Sequence, residues 1–98
     1  MRTLMTVQID SAAGSRAVES GAMQQTLEHL VQQIEPEAAF FSPVDGLRTA
    51  FFLFDLKDPS DLPRLVEPAF RDFNARVHLT PAMNLDDLRA GMQKLGKA

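Results

Sequence analysis

The chain has 98 residues, 45% hydrophobic and 23% charged, which suits a single domain over residues 1–98 and excludes an intrinsically disordered segment. A net charge of −3, with ten scattered Lys and Arg, argues against the clustered basic surface that nucleic acid requires. With no Cys there is no disulfide, thiolate metal site or thiol nucleophile, and seven Phe without Trp or Tyr are packing material rather than stacking platforms.

Leu4 to Ile9 reads as a first strand, with Met5, Val7 and Ile9 on one face and Leu4, Thr6 and Gln8 on the other. This short apolar run lacks the core of a signal peptide, and no run approaches the roughly 18 apolar residues of a membrane span. A soluble, cytoplasmic protein without a membrane partner is therefore expected. Met23, Leu27, Leu30, Val31 and Ile34 repeat at helical spacing, so one helix is predicted, starting between Ser11 and Arg16 and ended by Pro36. Ala38 to Ser42 is a short strand. It is joined through Asp45 and Gly46, residues suited to positive φ, to an antiparallel partner from Leu47 to Leu56.

The partner strand contains five consecutive apolar residues, Ala50 to Phe54, so both of its faces are greasy. A second helix follows, with Ser60 as its expected cap and Leu62, Leu65, Val66, Phe70 and Phe73 as its stripe. Pro68 should kink or split it. Arg76 to Thr80 alternates as a fourth strand, with Val77 and Leu79 inward and Arg76, His78 and Thr80 outward. Asn84 and Asp87 form a capping pair for a C-terminal helix carrying Leu85, Leu88, Met92 and Leu95, which stops near Gly96.

The order β-α-β-β-α-β-α describes an α+β ferredoxin-like plait with an extra C-terminal helix, an antiparallel sheet in order 4-1-3-2, and both main helices on one face. Phe51 and Leu53 then project away from the helices, and with Leu4 they form an apolar patch on the open face. Each would forgo roughly 1.5–3 kcal/mol if left in water. The expected remedy is a homodimer in which two sheets pack face to face, with Leu4, Phe51 and Leu53 at the interface.

These features resemble the dimeric α+β barrel superfamily. Within it, the segments PEAAFF, GLRTAFFLFDL, LPRLVEPAF and NARVHLTPAMNLDDL are similar to a set of short, functionally uncharacterised bacterial proteins. Cofactor-free monooxygenases, muconolactone isomerase-like enzymes, haem-degrading proteins and small-molecule binders share that superfamily. The resemblance therefore implies a fold and a dimer but leaves chemistry open. No catalytic motif of those enzymes matches here residue by residue.

Among individual residues, His78 is the candidate general base, pointing with Arg76 and Thr80 toward Thr6 and Gln8. Thr6, Gln8, Arg48, Phe51 and Arg76 are the candidate ligand-binding residues. Arg48 is able to hold a carboxylate bidentately, although pairing with a nearby acidic side chain is its ordinary role. His29 and His78 lack a third ligand at metal-site spacing, so neither a metal nor another cofactor is expected. No phosphate loop, nucleophile elbow or zinc-protease motif occurs, and strand one supplies no aromatic for RNA. Three readings remain: a binder of a small apolar or aromatic molecule, a cofactor-independent monooxygenase or isomerase, and a structural or regulatory interaction module.

Overall fold

A computed structural model describes residues 1–96. Strand β1 (Arg2–Gln8) leads into helices α1 (Ser11–Ser20) and α2 (Ala22–Ile34), then the hairpin β2 (Ala38–Val44) and β3 (Leu47–Asp55). Helix α3 (Leu62–Phe73), strand β4 (Arg76–Pro81) and helix α4 (Leu85–Lys94) complete the order. The fold is α+β: one four-stranded antiparallel sheet in order β2-β3-β1-β4, with β3 and β1 central, consistent with a ferredoxin-like plait.

The faces follow side-chain alternation. Met5, Val7, Ala50, Phe52 and Phe54 are buried beneath Ala17, Leu30, Ile34, Leu65, Ala69 and Phe73 of the helices, forming the core. Asp45 and Gly46 take φ of 53° and 77°, the positive pair that a tight hairpin turn demands. Pro43 lies on the outer strand β2 and Pro81 on the outer strand β4, where a missing N–H is tolerated.

Three local expectations are corrected. The predicted first helix is two helices, because Gly21 adopts φ of 83°, ends α1 in a left-handed cap and starts α2. Asp10 caps α1 by accepting from the Ala13 backbone N–H. The second helix is not split at Pro68: α3 runs unbroken from Leu62 to Phe73, because Leu65, Ala69 and Phe73 bury one stripe on either side of the proline. Its lead-in is a single 3-10 turn, Pro59–Asp61, capped by Asp58 rather than Ser60; Ser60 donates both its N–H and its hydroxyl to the Asp58 carboxylate.

Helix α4 differs from the others. Its start is secured by a capping box between Asn84 and Asp87, by the Ala82 N–H donating to the Arg2 carbonyl, and by an Arg2–Asp87 ion pair of 3.0 Å. Beyond that root its apolar positions remain exposed, and it has no packing contact comparable to those among the other described elements. No helix among the described residues is long and apolar enough to cross a membrane.

Candidate functional site

The open sheet face carries most of the predicted site residues. Across the four strands one row reads His78, Thr6, Phe51, Phe40; the next toward the Arg2 end reads Thr80, Leu4, Leu53, Ala38. On the other side of the His78 row lie Arg76, Gln8, Thr49 and Ser42. Phe51, Leu53 and Leu4 are half-buried, His78 and Arg76 are exposed, and Phe40 on the outer strand is 68% exposed. The Gln8 amide donates to the Val44 carbonyl at 3.3 Å, so its side chain crosses the sheet over Thr49, which is buried. The sheet thus brings Thr6, Gln8, Phe51, Arg76 and His78 onto one surface, and at one end of it Gln8 and Arg76 line a pocket of about 310 Å³ with Asp10, Leu47, Asn74 and Ala75. No described charged group pairs with His78.

Arg48 is separated from that set. It shares its parity with Ala50 and Phe52, so its side chain lies on the helix side and rests on α1. It lies close over Gly14: a Cβ there would stand 2.9 Å from Arg48 Nη1, the mobile end of that side chain, and 3.0 Å from Ile9 Cγ2, so a larger residue would displace the guanidinium. The acidic partner expected for Arg48 is also missing, since none lies within ion-pair distance among the described residues. Arg48 therefore does not converge with Thr6 or Gln8.

It lines a different feature. Between α1–α2 and the β2–β3 hairpin runs an apolar groove of about 420 Å³, bordered by Ile9, Val18, Met23, Leu27, Phe41, Pro43 and Ala50, with Arg48 its one charged residue. A contiguous stretch of about 450 Å³ continues over Val18, Met23, Leu27 and Phe41 toward Gln24 and Glu28. Phe41 forms one wall. It is 57% exposed, and its ring meets buried Phe52 edge-on at a centroid distance of 5.9 Å. The groove exists because the helix layer is narrower than the sheet: β2 is the outer strand, and its inward Phe41 reaches past the cover that α2 provides.

No expectation drawn from the sequence corresponds to this groove. Its available signal was AAFF, where consecutive phenylalanines must face opposite sides of an outer strand, leaving one on each face to find cover.

A more polar basin of about 310 Å³ opens at the other end of the sheet, lined by Gln33, Glu35, Glu37, Asp55, Lys57, Asp61 and Arg64. Its groups largely satisfy one another or their neighbours. Arg64 bonds Gln33 and Asp61, and Glu37 accepts from Arg2. Asp55 accepts from the Met1 amino group at 2.6 Å, and that hydrogen bond and positive charge hold its carboxyl below its ordinary value. Among the described residues no three His, Asp or Glu side chains converge as metal ligands would. Compared with protein-family models, curated proteins and solved structures, the chain matches none.

Proposed function

We propose that this chain binds a small apolar or aromatic molecule in the groove between α1–α2 and the β2–β3 hairpin, and does so as a homodimer whose open sheet faces pack together. One observation carries the binding reading: a groove of about 420 Å³ walled by Phe41, Leu27, Met23 and Val18 that ends on a cation without an acidic partner. Its size falls in the roughly 300–1,000 Å³ range of small-molecule sites, which combine apolar walls with a few placed polar groups. Arg48 supplies the polar group. Its planar fork suits an anionic or carbonyl head while the walls take the apolar body. The dimer is supported by Leu4, Phe51, Leu53 and Phe40 together on the uncovered face.

The test is titration with 1-anilinonaphthalene-8-sulfonate, an anionic aromatic probe, read by its fluorescence in a chain that has no Trp of its own. Saturable binding, weakened tenfold or more by both Leu27→Gln and Arg48→Gln, is the expected result. Binding indifferent to both substitutions, or none, overturns the groove reading. Native mass spectrometry of protein from its source would then identify a retained molecule.

A cofactor-independent oxygenase or isomerase is a second reading, supported by the row that sets His78 beside Thr6 and Phe51 on the face a second copy would enclose. In that scheme Arg76 and Gln8 flank the base. Any activity found should be lost in His78→Gln, and an unchanged rate removes His78 from it.

A further inference from the structure

Among the described residues, the stripe of α4 has no counterpart. Leu85, Leu88, Met92 and Leu95 are 59%, 44%, 38% and 68% exposed, although they recur at the spacing that normally packs a helix onto a core. A ten-residue helix is too short to be stable alone in water, where about 12–15 residues are already marginal. The helix also stretches the molecule. The radius of gyration is 15.6 Å, against about 12.6 Å expected for a compact chain of this length, and the longest extent is 53 Å.

The root of α4 lies at the edge of the open sheet face. Arg2, which holds Asp87, shares its parity with Leu4, Thr6 and Gln8, and its row is next to the one containing Leu4 and Leu53. The uncovered stripe and the uncovered face therefore begin at the same end of the sheet.

We propose that α4 is an arm that docks through Leu85, Leu88, Met92 and Leu95 on a second copy of this chain, each copy giving one arm and receiving one. The inference rests on the two-fold closure proposed above and specifies how that closure is completed. Area supports it. Four strands about 4.8 Å apart and about six residues long present a footprint of roughly 400 Å², half of the roughly 800 Å² that each partner of a standard interface contributes. A helix about 15 Å long and about 10 Å wide adds roughly 150 Å² when given and as much again when received, which brings the face near the standard size. A heterologous contact would leave one arm of every pair uncovered, whereas a two-fold exchange covers both.

The experiment uses the full chain. Sedimentation should give a dimer of the 10.9 kDa chain at micromolar concentration. The double substitution Leu88→Asp with Met92→Asp should raise its dissociation constant at least tenfold, while the far-ultraviolet circular dichroism loses no more than the signal of the ten-residue helix and the cooperative melt of the chain is retained. Hydrogen exchange should show the amides of residues 85–94 protected in the dimer, and that protection should disappear on dilution. A dimer broken by Leu53→Asp but indifferent to the α4 pair overturns the arm alone. Protection that persists in the diluted monomer also overturns it, since the helix would then fold back on its own chain. A chain that stays monomeric at every concentration overturns the two-fold closure and the arm together.

Discussion

Phe51 and Phe52 are neighbours in sequence on opposite faces of the central strand, and replacing Phe52 by Ala probes the core alone. Phe52 is fully buried and pairs in register with Met5 of β1 and Ala39 of β2, with the Phe41 ring against its edge. Losing the buried ring forgoes about 2–3 kcal/mol of transfer free energy. If on the order of 80 Å³ stays open, a cavity term of about 24 cal/mol per Å³ adds roughly 2 kcal/mol. The expected cost is therefore about 4 kcal/mol, within the range of about 3–5 kcal/mol for burying nothing where a Phe stood. A chain this size has about 5–15 kcal/mol of stability in total, so Phe52→Ala should lie close to unfolding at 37 °C. The assay is urea denaturation followed by far-ultraviolet circular dichroism, since no Trp or Tyr reports tertiary structure. Phe51→Ala serves as reference and should cost less than half as much in the monomer, with the deficit growing with concentration if the proposed dimer forms. A cost below about 1.5 kcal/mol for Phe52→Ala, or equal costs for the two in the monomer, would refute the assignment of faces.

Gly21→Ala should destabilise the chain by about 1–2 kcal/mol through its left-handed φ of 83°, with no steric clash to blame since nothing lies within 4 Å of the added Cβ; thermal melts would measure this, and a neutral result would mean that α1 and α2 are not separated there. Asp58 accepts the N–H and hydroxyl of Ser60, which lowers its carboxyl pKa below the reference of 3.8. A lowered carboxylate stabilises the fold above its unfolded pKa, and that stability is lost as pH falls through the folded value. The melting temperature of Asp58→Asn should accordingly sit below that of the parent at pH 7 and converge with it in acid well below pH 3.8, whereas a pH-independent gap would refute the charge-based account.

The sheet was legible in the sequence because period-two alternation is a strong signal when each strand has one buried face. Met5 and Val7 against Leu4 and Thr6, and Phe52 and Phe54 against Phe51 and Leu53, fixed both parity and the central place of β3. The helices were harder to delimit. Ala13 and Ala17 are buried in α1, yet alanine carries little hydrophobic signal, so the apolar repeat marks α2 alone. A glycine inside a helix costs only about 1 kcal/mol, so Gly21 in the sequence leaves open whether the helix runs through it or ends there, and the observed φ of 83° shows the latter. Pro68 does not divide its helix for a related reason: the lost hydrogen bond is local, whereas the buried stripe that outweighs it is assembled by the whole core. Parity already set Arg48 on the helix side, with Phe52. The groove beside it arises from the relative widths of two layers, a quantity that no short window of sequence contains.

The prolines on the two outermost strands bear on how this molecule meets its neighbours in a crowded solution. Each sheet edge presents at least one residue without a hydrogen-bond donor, Pro43 on one margin and Pro81 on the other. A foreign strand extending the ladder would meet a gap in the pairing on whichever side it approached. For a chain with a phenylalanine-rich hairpin, this makes ribbon-like polymerisation through the sheet edges unfavourable.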